Sequence, residues 1–447
     1  MSSTKLHPTA LLGLFLAGLA ALRCVFLPDN TPLGRLLIPL ASLAIGALGL
    51  WLLSRSGCDR DTLTALLLPM GLALLLRALL LPHATLDYQD FLSKWVEHFR
   101  QNGGILALKD PVGNYNVPYL YLLALLSYLP IPDLYGIKLF SILFDVLLAW
   151  GGYRLARSLD SEGRAPELTF TLLLLLPTVV LNGACWGQCD SVWGGLCVLA
   201  LASALEKRPR ASLALLALAF AFKLQAIFLI PLWAGLWLVG RLRLRDVPVF
   251  PAVFALTMLP AMLLGKPGGD ILRIYVDQAG SSVGWGTLNY NSPSVFALFP
   301  YRHEFSPAAP RLAILCAFLL MLAVLVLLLW GRERVNNGTL VLAGAVLSLG
   351  IPFLLPYMHE RYFFLGGVLL LIWACSKPGY APAAAGAELA SLGGYHAYLM
   401  TRYAMTISLF GLVWTQLAEG LLMLFALGTA FAGLVGQTLE KKFPKSP

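Results

Sequence analysis

Charged side chains are scarce in this sequence. Only 12% of the 447 residues are Asp, Glu, Lys or Arg, whereas a typical soluble protein carries about 25%. Hydrophobic residues make up 58%, and they form repeated runs long enough to cross about 30 Å of hydrocarbon. The composition therefore excludes an ordinary soluble enzyme. It predicts an all-α, polytopic transmembrane protein with about 12–14 membrane-spanning helices.

Several other features are also missing. We find no internal repeat, no low-complexity linker and no soluble domain, so we expect one integral membrane domain over residues 1–447. The seven cysteines lie mostly within apolar runs, where cysteine usually packs as a small hydrophobic residue. They therefore predict no disulfide framework.

The net charge of +9 belongs mostly to clusters of Lys and Arg between the apolar runs. In a membrane protein such clusters mark cytoplasmic loops and contact anionic lipids, so we expect no nucleic-acid partner. If they face the cytoplasm, both termini are cytoplasmic and the loops 83–117 and 265–310 lie outside. The sequence thus predicts a multi-pass protein of the plasma (inner) membrane.

Polar residues are concentrated in the first of these outer loops, residues 83–117. Phe91, Trp95 and Phe99 recur at helical spacing, which predicts an amphipathic helix lying in the membrane interface. Asp87 and Asp90 stand at its N-terminal end. We interpret this loop as catalytic, although the two aspartates could instead only cap the helix.

Three further polar clusters and one isolated cation are predicted on the same side of the membrane. Ionisable groups within apolar runs cost about 2.5–3.5 kcal/mol each, so they tend to be functional. Each has a structural alternative: a helix cap for Asp190, a local ion pair for Glu360 with Arg361, a lysine that reaches the interface, and interfacial belt aromatics. The residues are Trp186, Gln188 and Asp190; Trp285 and Tyr290; His359, Glu360 and Arg361; and the isolated Lys223.

The order of these motifs resembles the GT-C glycosyltransferases. More narrowly, it is similar to bacterial relatives of the GPI-anchor mannosyltransferases and of the dolichyl-phosphate-glucose-dependent glucosyltransferases. Val117 and Tyr357 depart from the motifs, the latter standing where a basic residue is frequent. The motifs are Asp87-Tyr, Asn114-Tyr-Asn-Val-Pro-Tyr-Leu-Tyr121, Trp186-Gly-Gln-Cys-Asp-Ser191, Phe222-Lys-Leu-Gln-Ala226 and Leu355-Pro-Tyr-Met-His-Glu-Arg361.

The resemblance implies inverting transfer of a sugar from a polyprenyl-phosphate-linked donor on the extracytoplasmic face, within the cell envelope. The acceptor would be a glycan, a lipid or a protein. By resemblance Asp87 is the general base, with Asp90 in reserve, and Lys223, His359 and Arg361 hold the lipid phosphate. The sugar or acceptor would contact Trp186, Gln188, Asp190, Glu360, Trp285 and Tyr290.

No cofactor is expected, because the donor is a substrate and its phosphate is already a good leaving group. The Asp87-x-x-Asp90 spacing could hold Mg²⁺ through waters, but one base suffices for this chemistry and we expect no metal. Two other function classes stay open at this point: a transporter or flippase of lipid-linked sugars, and a membrane ligase or polymerase of lipid-linked glycans.

Overall fold

The computed structural model describes residues 7–160, 163–280, 287–299, 303–399 and 412–439. The first ten α-helices, numbered in chain order, are α1 Pro8–Val25, α2 Gly34–Arg55, α3 Arg60–Ala65, α4 Leu67–Leu80, α5 Ser93–Gln101, α6 Val117–Leu126, α7 Asp133–Arg157, α8 Ala165–Leu175, α9 Pro177–Val180 and α10 Asp190–Leu205. The others are α11 Pro209–Phe222, α12 Pro231–Leu238, α13 Val249–Leu263, α14 Gly268–Gly280, α15 Ala309–Trp330, α16 Asn337–Leu354, α17 Phe364–Ser376, α18 Ala381–Leu399 and α19 Leu412–Leu439.

Shorter elements join these helices. Tyr88–Leu92 and Leu181–Trp186 are π-helical turns. The 3₁₀ turns are Gly104–Lys109, Leu224–Phe228, Leu244–Asp246, Val295–Leu298, Glu360–Phe363 and Pro378–Tyr380. Two short strands, β1 Asn289–Tyr290 and β2 Met358–His359, pair in parallel with Asn289 opposite Met358. This pairing ties the second long loop to the segment that carries the His-Glu-Arg motif.

Within the described residues, eight helices are long and apolar enough to span a membrane, or nine if the bent pair Ala165–Leu175 and Pro177–Trp186 is one span. This confirms the predicted all-α, polytopic membrane architecture. The expected 12–14 spans also counted apolar runs that the structure folds into shorter helices. Examples are Val117–Leu126, Asp190–Leu205, Pro209–Phe222 and Leu224–Leu238.

Helix α16 lies at the centre of the bundle, with 89% of its apolar window buried. It packs against α15, α17 and α19, while α7 packs against α2, α8 and α10. At the edge, α1 and α4 approach so closely that a Cβ on Gly71 would lie 2.0 Å from the carbonyl oxygen of Gly13. Such small-residue contacts let helix backbones approach closely inside a membrane.

The loop at 83–117 folds as the sequence predicted in its central part. The π-turn Tyr88–Leu92 runs into α5, which ends at Gln101 and is followed by Asn102 and by Gly103 with φ +85°. Val96 and Phe99 on α5 are buried, whereas Glu97 and Arg100 on the opposite face are exposed and paired at 2.6 Å. Asp87 makes no capping hydrogen bond, so the helix-cap alternative does not account for it.

A buried lysine fixes the start of this loop. Lys138, on α7, is fully enclosed and donates from Nζ to the carbonyl oxygens of Leu81 at 2.9 Å and His83 at 2.5 Å. These carbonyls follow the end of α4, where the helix leaves acceptors without intrahelical partners. Lys138 therefore caps α4 from a neighbouring helix and sets where residue 87 emerges.

Candidate functional site

A cavity of about 600 Å³ lies where the loop at 83–117 meets breaks in three other parts of the bundle. The structure brings six of the predicted site residues to its wall, from four distant stretches of sequence. They are Asp87, Gln188, Lys223, His359, Glu360 and Arg361. These side chains therefore line one cavity, as the predicted convergence requires, and their roles stay predictions.

Asp87 is held by three hydrogen-bond donors. Its Oδ2 accepts from Trp186 Nε1 at 2.8 Å and from Gln188 Nε2 at 2.5 Å, and its Oδ1 accepts from the Tyr398 hydroxyl at 2.7 Å. A carboxylate offers about four acceptor positions. Oδ1, with one donor, therefore keeps an acceptor position for a substrate hydroxyl.

The donors are themselves held in place. Trp186 ends the π-turn Leu181–Trp186, and Gly187 turns the chain at φ +78°, a conformation that favours glycine. The ring of Tyr398 stacks on Trp186 with centroids 4.2 Å apart. Gln188 accepts at Oε1 from the Tyr115 hydroxyl at 3.2 Å, which orients its amide nitrogen toward Asp87.

Arg361 lies beside the side chains that hold Asp87. Its Nη1 donates to Glu360 Oε1 at 2.7 Å, and its guanidinium carbon lies 5.3 Å from the centre of the Trp186 ring. The local ion pair considered from the sequence is therefore present. The side chain lines the cavity, and a guanidinium has five N–H donors, so it retains donor capacity beyond its bond to Glu360.

Lys223 lies at a helix break, between α11 and the 3₁₀ turn Leu224–Phe228, with an extended backbone at φ −155°. It does not extend to the interface as the structural alternative supposed. Its Nζ donates to Asp190 Oδ1 at 2.6 Å. Trp193 Nε1 donates to the same oxygen at 2.8 Å, and Asn182 Nδ2 donates to Oδ2 at 2.7 Å.

Two residues predicted to contact the sugar, Asp190 and Trp186, do not line the cavity. Asp190 is completely buried behind Lys223 and does not line the cavity, because its carboxylate is consumed by internal donors. Trp186 is likewise completely buried between Tyr398 and Arg361, so its face is not offered to a sugar ring. Asp190 does not cap α10 through its side chain either.

His359 lines the cavity and stacks on Tyr290, with ring centroids 5.0 Å apart. Burial, together with the nearby Arg361, lowers the pKa of His359 to about 3. Its imidazole is therefore neutral at neutral pH. It can offer a hydrogen bond to a phosphate, but little charge.

The remaining predicted residues lie elsewhere. Asp90 is exposed, does not line the cavity and forms a loose pair with Lys94 at 3.8 Å. Tyr290 does not line the cavity but stacks on His359, which does. Trp285 lies outside the described residues. Three or more His, Cys, Asp or Glu side chains do not gather into a metal-binding group anywhere in the described ranges; the absence of a metal requirement stays a prediction.

Two tyrosines that hold Asp87 or one of its donors, Tyr398 and Tyr115, were not among the residues predicted from the sequence. Tyr398 comes from the end of α18, more than 300 positions from Asp87, and nothing in its local sequence distinguishes it from an interfacial tyrosine. Tyr115 stands inside the Asn114–Tyr121 motif, to which no role at the site was given from the sequence. That motif could have indicated Tyr115, because a polar aromatic cluster beside a catalytic loop is unusual in an apolar chain.

One comparison with known proteins gives a match. The family model described as glycosyltransferase family 87 matches residues 114–356, more than half of the chain. No curated protein matches the sequence. The matched range includes Gln188 and Lys223 and ends just before the His-Glu-Arg motif.

Proposed function

Because the chain belongs to glycosyltransferase family 87, a family of GT-C-type membrane enzymes, we propose that it uses a polyprenyl-phosphate-linked sugar as its donor. The chain is a multi-pass membrane glycosyltransferase. The proposal adds the donor class, inversion at the anomeric carbon and Asp87 as general base. The observation that carries it is a carboxyl group clamped by three donors in the same cavity as Arg361 and Lys223.

The proposed reaction is a single displacement. The acceptor hydroxyl gives its proton to Asp87 Oδ1 while its oxygen bonds to the anomeric carbon of the sugar. The bond from that carbon to the phosphate oxygen breaks, and the phosphate departs with the electron pair on the opposite side, which inverts the configuration. A positioned base of this kind contributes about 10²–10⁴-fold to the rate.

The departing phosphate needs positive charge more than it needs an acid. Arg361 lines the cavity and has N–H groups beyond the one that Glu360 accepts, and Lys223 has two N–H groups beyond the one that Asp190 accepts. Donors fixed before the reaction stabilise developing negative charge most effectively where water is excluded. Both side chains are largely buried, so we assign them to the phosphate, with neutral His359 beside them.

An apolar wall suits the isoprenoid part of the donor. Leu224, Ile227 and Phe228 line the cavity next to Lys223, and Ile227 is 45% exposed. They belong to the interrupted stretch that the sequence predicted as short, tilted or re-entrant. We propose that the lipid chain leaves the cavity here, between α11 and α12, with its phosphate at Lys223.

The proposal is tested with the full-length protein in detergent and a panel of polyprenyl-phosphate hexoses, with a membrane extract as the source of acceptor. Release of polyprenyl phosphate is measured. Asp87→Asn should lower turnover by at least about 10²-fold. The matched Asp90→Asn, three residues further along the chain and outside the cavity, should do little. Equal losses, or a larger loss for Asp90, would remove Asp87 as the base.

Binding of a polyprenyl monophosphate without sugar separates the roles of the two charged groups. Arg361→Gln should weaken this binding about 10-fold or more, the value of one charge-assisted hydrogen bond. Asp87→Asn should leave it unchanged. The reverse pattern would mean that Arg361 serves the sugar or the acceptor.

The extracytoplasmic location of the site is a separate proposal, supported by the clusters of Lys and Arg. A single cysteine at Asn102, which is exposed, should react in intact cells with an impermeant thiol reagent. A cysteine at the exposed Arg208 should react only after the membrane is opened. Labelling of the Arg208→Cys variant in intact cells would reverse the orientation.

A further inference from the structure

Two buried hydroxyl groups behind Asp87 have no part in the proposed reaction. Thr85 precedes the aspartate by two residues and is 5% exposed, and Ser141, on α7, is completely buried. Neither lines the cavity, so neither touches a substrate held there. Both nevertheless bond to the segment that supplies two of the three donors to Asp87.

The Thr85 hydroxyl joins the segment of Asp87 to the segment of these donors. Its Oγ1 donates to the carbonyl oxygen of Trp186 at 3.2 Å, and the indole of Trp186 donates to Asp87 Oδ2 at 2.8 Å. The two segments are therefore connected twice, once through the carboxyl group of Asp87 and once through Thr85.

The second connection matters because the first one changes during the proposed reaction. Groups that donate to a carboxylate favour its charged form, so their bonds to Asp87 weaken when it takes the proton of the acceptor hydroxyl. The bond from Thr85 to a backbone carbonyl does not pass through the carboxyl group, and that proton does not affect it. It can therefore hold Asp87 beside Trp186 both before and after proton transfer.

Ser141 bonds to the second donor residue. Its Oγ lies 2.8 Å from the carbonyl oxygen of Gln188 and 3.3 Å from that of Ile137, in its own helix. A serine hydroxyl carries one proton, and the shorter contact assigns it to Gln188. The side-chain amide of Gln188 in turn donates to Asp87.

Helix α7 supports both segments from one face. Lys138 and Ser141 are three positions apart, which places them on the same side of the helix. Lys138 donates to two carbonyls at the start of the loop that carries Asp87, and Ser141 donates to the carbonyl of Gln188. One helix thus sets the base and its donor relative to each other.

A purely structural role of the two hydroxyls would be to satisfy carbonyls that no helix pairs. Carbonyls at the ends of helical turns lack intrahelical donors, and both Trp186 and Gln188 flank the break at Gly187. Any loss of turnover from such a role would be the same with or without Asp87. It does not explain why both carbonyls belong to residues whose side chains hold Asp87.

We propose that Thr85 and Ser141 are positioning residues, which fix the carboxyl group of Asp87 relative to its donors and to the cavity without touching the substrate. Their effect on turnover rests on the proposed function, in which Asp87 is the general base. The alignment itself can be measured without the reaction.

The test uses the full-length protein in detergent and variants that change one group at a time. Thr85→Val keeps the shape of the side chain and removes the hydroxyl, whereas Thr85→Ser keeps the hydroxyl and removes a methyl group. Thr85→Val should lower kcat about 10-fold, less than the loss of about 10²-fold that a displacement of about 1 Å can cause. KM and the binding of polyprenyl monophosphate should not change. Thr85→Ser should retain most of the turnover, and Ser141→Ala should behave like Thr85→Val.

The matched control is Thr438→Val, which removes another buried hydroxyl. Thr438 Oγ1 donates to the carbonyl oxygen of Leu434, in its own helix, at 2.8 Å, and Thr438 does not line the cavity. This variant should keep the turnover of the wild type. An equal fall in kcat in the control and in Thr85→Val would overturn the proposal.

A double-mutant cycle with Asp87→Asn separates an effect through the base from a general loss of stability. If Thr85 acts through Asp87, Thr85→Val should cause no further loss in the Asp87→Asn background. A further loss as large as in the wild-type background would overturn the proposal. Normal kcat in Thr85→Val or in Ser141→Ala, or equal losses in Thr85→Val and Thr85→Ser, would do the same.

A spectroscopic readout keeps this outcome separate from that of the proposed function. Trp186 is one of 11 tryptophans, and in protein labelled with 5-fluorotryptophan its fluorine NMR resonance is identified by its loss in Trp186→Phe. Thr85→Val should shift or broaden this resonance, and Thr438→Val should not. If Asp87→Asn keeps wild-type turnover, the assignment of the base fails, while a shifted Trp186 resonance in Thr85→Val still supports the alignment. An unchanged resonance overturns the positioning role whatever the activity.

Discussion

The Lys223–Asp190 pair allows a structural role to be separated from a ligand-binding role. Asp190 is completely buried and Lys223 is 6% exposed. Replacing Lys223 by Met leaves the Asp190 carboxylate without its cation, and breaking a buried pair in this way costs about 3–5 kcal/mol. Asn182 and Trp193 still donate to Asp190, so we expect a loss near the lower end of that range.

The double variant Lys223→Met with Asp190→Asn should recover most of this stability, because it removes both buried charges while an amide preserves the shape of the site. Removal of a whole buried pair is often close to neutral. Binding of polyprenyl monophosphate should not recover, since Lys223 is the member of the pair that lines the cavity. The four proteins of the cycle are compared by thermal unfolding in detergent and by binding of the sugarless lipid.

Two results would refute this reasoning. If Lys223→Met alone is as stable as the wild type, the 2.6 Å contact does not stabilise the fold. If the double variant regains both stability and lipid binding, Lys223 only supports Asp190, and the phosphate is held by Arg361 or elsewhere. Asp190→Asn alone is the internal check, because it leaves Lys223 as the uncompensated charge.

Two further predictions concern the same cavity. Tyr398→Phe removes one hydrogen-bond donor from Asp87 but keeps the ring stacked on Trp186. Turnover should therefore fall about 10-fold, which corresponds to roughly 1.4 kcal/mol, while binding of polyprenyl monophosphate stays normal. A change in lipid binding without a change in turnover would contradict the role given to the Tyr398 hydroxyl. The pKa of His359 is lowered from 6.5 to about 3 in the folded chain. Between these two pH values the unfolded chain therefore binds a proton at His359 that the folded chain does not bind. The free energy of unfolding then decreases by about 1.4 kcal/mol for each unit by which the pH falls. His359→Gln should flatten this decrease in unfolding experiments between about pH 7 and about pH 4, and an unchanged slope would show that other groups cause it.

The fold class could be predicted because a membrane imposes it. With so few charged residues and so many long apolar runs, α-helices are the structures that satisfy the hydrogen bonds of the backbone N–H and C=O groups in hydrocarbon. The amphipathic helix after Asp87 could also be predicted, since Val96 and Phe99 follow helical periodicity. Apolar composition does not show where a helix bends, as between Leu175 and Pro177.

The sequence indicated which residues lie at or near the site better than it indicated what each of them contacts. An ionisable group inside an apolar run is conspicuous, so Lys223 and Asp190 were both selected. The sequence does not show that these two side chains, 33 positions apart, pair with each other. Asp190 was therefore predicted to contact the sugar and Lys223 to contact the phosphate. Tyr398 was missed for the opposite reason: its hydroxyl becomes functional only because α18 ends beside a carboxyl group that comes from the other end of the chain.

Helix breaks supply several of the polar residues of the candidate site. Three of them are the turn around Gly187, the extended residue Lys223, and the segment between α16 and α17 that holds Arg361. Non-helical backbone at membrane depth is tolerated only where protein or water satisfies its polar groups, and here bonds such as Gln188 N–H to the Asn182 carbonyl at 2.9 Å do so. A break therefore requires polar neighbours, and several breaks that meet at one point gather polar side chains around a cavity whose wall is otherwise largely apolar. In this chain, the interrupted apolar run that carries Lys223 contributes to the candidate site rather than forming one full-length span.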